Sequence, residues 1–192
     1  MTTIIRPALT LFTALSLITG LAYPLLTTGI ASVTMPAQAK GSLVFNQEGK
    51  PVGSSLIGQS FTDPQYFWGR PSATSPMANN ASLSGGSNLG PLNPALVDAV
   101  KGRVQALREA DPGNPAPVPA DLVTTSASGL DPHISLAAAH YQAARVARLR
   151  HWPVNRVTEL INQQAEGVWL GPLGEPRVNV LALNLALKAA TP

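Results

Sequence analysis

The sequence predicts an α+β protein, with one N-terminal transmembrane helix followed by a mixed helix/strand extracytoplasmic domain. Between Arg6 and Lys40 there is no Asp, Glu, Lys, Arg or His. Beyond Lys40, helix-period apolar patterns alternate with short β-prone stretches. Only 12% of the 192 residues are charged against 45% hydrophobic, too little charge for a chain that faces water along its whole length.

The membrane segment comes first. From Ala8 to Ile30 run 23 residues without a charge, which as a helix reach about 34 Å, enough to span a bilayer. Arg6 and the amino terminus precede it, so the positive-inside rule places residues 1–7 in the cytoplasm. Residues 8–30 are then the transmembrane helix, 31–41 a linker and 42–192 the outer domain. Ala37-Gln38-Ala39 also resembles a signal-peptidase site, and a cleaved secretory leader is the competing reading. The apolar stretch exceeds a usual leader core of about 7–15 residues, which favours a retained helix. Ser16, Gly20, Tyr23 and Thr27 fall at i, i+4, i+7 and i+11, one face of an ideal helix that a partner helix could approach closely. The alternative is a lone helix, kinked at Pro24, whose hydroxyls bond their own carbonyls.

In the outer domain, Ser42 to Asn46 alternates as a strand, Glu48-Gly49-Lys50-Pro51 turns the chain, and Val52 to Ile57 returns as a second strand. Between Gly69 and Pro94 the only charge is Arg70, amid Ser, Asn, Gly and Pro. A long loop so poor in charge is expected to be ordered and to cover or meet something. Asn93 caps a helix that has Pro94 at its first position and Leu96, Val97, Val100, Val104 and Leu107 on one face, running to about Glu109. Prolines 112, 115, 117 and 119 then enforce an extended connection. Asp131-Pro132 predicts a second capped helix reaching about His151, and Pro153 a third ending near Gly167. Pro176 to Leu181 reads as a last strand, followed by a short apolar helix over 183–187.

Several chemistries are excluded or left without support. There is no cysteine, hence no disulfide, thiolate nucleophile or cysteine zinc site. Setting aside Arg6 and Lys40, eleven basic residues face ten acidic ones, which leaves no basic patch for nucleic acid. The one concentration, Arg145, Arg148 and Arg150, falls at a predicted helix end where cations complement the dipole. His133 and His140, seven apart on a predicted helix, lie two turns apart and cannot share a metal ion. No G-x-S-x-G elbow is present, and Ser128, His133 and Asp131 form a triad only if folding assembles them. Leu83-Ser84-Gly85-Gly86-Ser87 is similar to the signature sequence of ABC-type ATPases, but no Walker lysine motif accompanies it.

The order and spacing of several motifs resemble the C subunit of Kdp-type potassium-transporting ATPases, a bacterial family. They are Leu56-Ile57-Gly58-Gln59; Tyr66-Phe67-Trp68-Gly69-Arg70-Pro71-Ser72-Ala73; Ser84-Gly85-Gly86-Ser87-Asn88-Leu89-Gly90-Pro91; the run from Pro119 to Ser135; and Arg177-Val178-Asn179-Val180-Leu181. The resemblance covers nearly the whole chain. It implies a single-pass protein of the bacterial plasma (inner) membrane, in contact with lipid. It also implies assembly with a channel-like potassium subunit and a P-type ATPase subunit, where catalysis resides.

The same resemblance implies an accessory subunit without catalytic residues that stabilises the pump and helps it bind ATP. Any nucleotide contact falls on Ser84, Gly85, Gly86, Ser87 and Asn88. No tightly bound cofactor is implied, and ATP is met through the complex. A domain placed outside the cytoplasm cannot touch cytosolic ATP directly, so the 84–88 loop is expected to dock or brace rather than hold nucleotide. A secreted or tethered hydrolase, or a small-molecule-binding domain, is the alternative class.

Overall fold

A computed structural model describes residues 2–46, 48–168 and 174–190. The first and last residues of the expected domain bounds, 1 and 192, lie outside the described residues. Mixed helices and short strands make up the chain, which divides into two compact units, Met1–Val52 and Gly53–Pro192.

The first unit is dominated by one apolar helical run, of which Ile4–Thr34 is long and apolar enough to cross a membrane. It comprises α1 (Thr2–Leu17), a π turn (Ile18–Ala22) and α2 (Tyr23–Thr34). Pro24 causes the π turn: it has no N–H to offer the Gly20 carbonyl, and its ring pushes that carbonyl away. The Tyr23 amide accordingly bonds Ile18 O. Thr10, Thr19, Thr27 and Thr34 each donate their hydroxyl to the carbonyl four residues back, which satisfies these polar groups within the helix. A one-turn helix, α3 (Pro36–Ala39), follows and contains the Ala37-Gln38-Ala39 triplet.

β1 (Leu43–Phe45) and β2 (Pro51–Ser54) pair as a two-stranded sheet. Asn46 builds their turn, its Oδ1 accepting from the Glu48 and Lys50 amides, while Gly49 supplies a positive φ of 74°. The return strand is shorter than the expected 52–57.

In the second unit α4 (Pro94–Ala110) forms as its sequence requires, with Asn93 Oδ1 accepting from the Ala95 amide. The next helix departs from expectation. Asp131 does not cap it: His133–Ser135 is a strand, β3, and Ser135 caps α5 (Leu136–Leu149) by accepting from the Ala138 amide. Asp131 Oδ1 accepts from the His133 amide, the same i to i+2 bond that opens a helix, so local geometry is satisfied either way. Long-range pairing of buried Ile134 with buried Val178 then decides for strand. His133 and His140 therefore lie on a strand and a helix, not on one helix.

α6 (Val154–Gln163) starts after Pro153 but stops four residues before Gly167, because β4 (Ala165–Glu166) pairs with β5 (Arg177–Asn179). The sheet order is β3-β5-β4, all antiparallel. Asn179 caps α7 (Val180–Ala189), longer at both ends than the expected 183–187. The core lies between α5, α6, α7 and the sheet, around Ile134, Val146, Val157, Ile161, Val178 and Leu183.

The 145–150 arginines fall at the end of α5 as expected, Arg148 in its last turn and Arg150 at its C-cap, and each also has a partner outside the helix. Arg145, 2% exposed, donates to Tyr66 O and Gln142 Oε1 and lies 4.2 Å over the Trp68 ring. Arg148 pairs with buried Asp111 at 2.6 Å, and Arg150 donates to Gln65 O. Burial lowers the Arg145 pKa to about 10, so the guanidinium stays charged in the interior at neutral pH.

Candidate functional site

The long loop that begins at Gly69 is ordered because its small polar side chains replace missing backbone pairing. Ser72 Oγ is the hub: it donates to Gly129 O at 2.6 Å and accepts from the amides of Asn79 and Thr74. Thr74 Oγ1 donates to Met77 O and accepts from the Asn80 amide. The loop's partner is the segment 124–131. The Gly85 amide and the Ser84 hydroxyl both donate to Ser128 O, at 2.9 and 3.0 Å, and Thr125 Oγ1 donates to Ser87 Oγ. Upstream, the Gly58 amide donates to Leu130 O.

Two glycines permit this approach. A Cβ on Gly86 would lie 2.9 Å from Ala127 O. Gly129, at φ +69°, faces Gly85 O so closely that a Cβ would lie 2.7 Å from it. Gly129→Ala is therefore expected to lower stability by more than about 1 kcal/mol and to speed proteolysis between residues 69 and 94. The check is a denaturant midpoint together with a protease time course.

Of the residues singled out for nucleotide, Ser84, Gly85 and Ser87 thus have donors or hydroxyls engaged with the 124–131 segment. Asn88 adopts a positive φ of 51°. Bracing leaves large apolar side chains outward: Met77, Leu83 and Leu92 are all well exposed.

The helix stripe is altered by the π turn. An i to i+5 turn contains one more residue than an α turn, which rotates everything beyond it by roughly a quarter turn. Tyr23 and Thr27 still share a face within α2, but Ser16, in α1, no longer lies above them. Gly20 falls inside the π turn, and the Thr27 hydroxyl bonds Tyr23 O in its own helix.

At the foot of the loop Arg70 Nη1 meets Asp131 Oδ2 at 3.1 Å, and Arg70 Nη2 donates to Thr125 O. Asp131 Oδ1 lies 3.4 Å from His133 Nδ1, and His133 Nε2 lies 3.6 Å from Glu166 Oε1. Arg70, Asp131 and His133 border an open cleft of about 610 Å3 that Asp121, Ser135, Glu175 and Arg177 also line. Ser128, by contrast, turns its hydroxyl to the Leu130 amide, so the Ser128–His133–Asp131 triad is not assembled. Sequence reading missed the Arg70–Asp131 pair and Glu166. Arg70 was visible as the only charge of its loop; Glu166 had no local signal.

The hydrogen bond from the His133 side chain, joined by the His133 amide and by Arg70, outweighs burial and brings the Asp131 carboxyl from 3.8 down to about 2. A depressed carboxylate stabilises the fold above its ordinary pKa and loses that contribution as pH falls from about 4 toward 2. Asp131→Asn should flatten the acid limb of stability across that window, measured by denaturant midpoints at stepped pH.

A family model described as K+-transporting ATPase, c chain (KdpC), matches residues 5–189. A potassium-transporting ATPase KdpC subunit from Polaromonas naphthalenivorans is 69% identical over 192 residues, covering all of this chain and 97% of that protein. One from Variovorax paradoxus is 67% identical over 190 residues, covering 99% of this chain and 98% of its own length. One from Methylibium petroleiphilum is 62% identical with both chains covered completely.

Proposed function

The chain belongs to the KdpC family, the c chain of K+-transporting ATPases, and from that premise we propose a non-catalytic accessory subunit that stabilises a potassium uptake pump and raises its ATP affinity. The match over residues 5–189 carries the reading, because it includes both the apolar helix and the braced loop. The partners in this reading are a channel-like potassium subunit and a P-type ATPase subunit that holds the catalytic residues.

The apolar helix anchors the chain in the inner membrane, with Arg6 and the N-terminus on the cytoplasmic side and residues 42–192 outside. The loop from Gly69 to Pro94 docks on the potassium subunit. Its support is the combination of a near-absence of charge, bracing from 124–131, and exposed Met77, Leu83 and Leu92. In this topology the subunit acts on ATP affinity through its membrane partners, and Ser84 to Asn88 serve as bracing rather than as a nucleotide cradle.

The test is the ATP dependence of potassium-stimulated hydrolysis by the purified complex with and without this chain. A lower apparent KM for ATP in its presence is expected. An unchanged ATP dependence would remove the effect on affinity and leave only the stabilising role.

A further inference from the structure

His133 stands on β3 with an acceptor-only group at each ring nitrogen, Asp131 at Nδ1 and Glu166 at Nε2. The register places the contact on one sheet face. His133 is opposite Asn179, and Glu166 is opposite Arg177 two residues away on the same strand. The imidazole thus reaches diagonally over β5 and joins the two outer strands. Each carboxylate is anchored on its other oxygen, Asp131 Oδ2 by Arg70 at 3.1 Å and Glu166 Oε2 by Arg177 at 3.0 Å.

A neutral imidazole has one N–H, so it presents a donor to only one of these carboxylates and a lone pair to the other; the imidazolium presents an N–H and a positive charge to both, at 3.4 and 3.6 Å. We propose that His133 is a proton-operated clamp, which when protonated ties β4 to the Arg70–Asp131 pair at the foot of the 69–94 loop and when neutral releases one of the two contacts. Histidine is the side chain suited to change charge between about pH 5 and 8.

The charged groups that pair with His133 or share its cleft come from every neighbouring element. They are Asp131 from the preceding loop, Arg70 from the 69–94 loop, Asp121 from the 120–122 turn, Glu166 from β4, Arg177 from β5 and Glu175 just before it. Asp131, held at about 2, stays ionised throughout the window, so it contributes no competing titration.

The test is amide hydrogen exchange on the full-length chain in mild detergent, near pH 5.5 and near pH 8, with protection corrected for intrinsic exchange. The wild type should show about twofold to fivefold greater protection across the β3–β5–β4 ladders at the lower pH, the range a partly exposed ion pair provides. His133→Gln should abolish the difference. Glu166 is nearly half exposed, so Glu166→Gln offers a second variant that leaves the core untouched. Its amide can face either state of the ring, and the difference should again vanish. Equal protection in the wild type, or a pH difference that survives in either variant, overturns the clamp.

Discussion

Phe67→Ala should lower the stability of the second unit by about 3–5 kcal/mol, the cost of emptying a fully buried aromatic site. Phe67 is 0% exposed and belongs to the main core cluster, although it sits on a segment without regular secondary structure. It enters the core because Tyr66 to Trp68 is clamped from two helices by side chains that imitate strand pairing. Asn184 of α7 accepts from the Phe67 amide and donates to the Phe67 carbonyl, and Gln142 of α5 does the same for Trp68. Total stability of a domain this size is of the order of 5–15 kcal/mol, so the substitution removes a large share of it. Urea unfolding followed by tryptophan fluorescence reads the change, with Trp68 beside the altered site.

Asn184→Leu should cost about 2–6 kcal/mol although it keeps the same number of side-chain heavy atoms. Both amide bonds to Phe67 are lost, and two buried backbone groups are left without partners, each at roughly 1–3 kcal/mol. Asn184→Asp separates donor from acceptor: it keeps an acceptor for the Phe67 amide and sets a carboxylate against the Phe67 carbonyl. It should be at least as destabilising at neutral pH, and less so in acid, where a protonated carboxyl can donate again. Denaturant midpoints at two pH values distinguish the variants. If Asn184→Leu matched the wild type, hydrogen bonding would not be what holds the 66–68 segment in place.

The elements legible in the sequence were those whose signals are local. Asn93 and Pro94 announce α4, and its apolar face repeats at helical spacing. The charge gap announces the long apolar helix, but the sequence stripe assumed an unbroken α-helix, and Pro24 inserts a π turn into it. What stayed hidden depends on distant partners. Asp131-Pro132 looks like a helix start because its first hydrogen bond is that of a helix start; only Val178, 44 positions beyond Ile134, makes it a strand. A two-residue strand such as Ala165–Glu166 exists only through β5.

Arg145 reads as a helix-end cation until Tyr66, Gln142 and Trp68 are seen around it. At the candidate site the loop from Gly69 to Pro94 was legible as long, polar and ordered. Its brace was not, because the Ser, Thr and Gly of 124–131 would serve equally well in any turn. Arg70 and Glu166 joined through Asp131 and His133 required the folded sheet.

The most direct test of the subunit assignment is purification of the tagged full-length chain in mild detergent from membranes of its own cells grown at limiting potassium, followed by intact-mass measurement of everything retained. The predicted result is the uncleaved chain together with a P-type ATPase and a channel-like potassium protein. A chain recovered alone and shortened after Ala39 would contradict it.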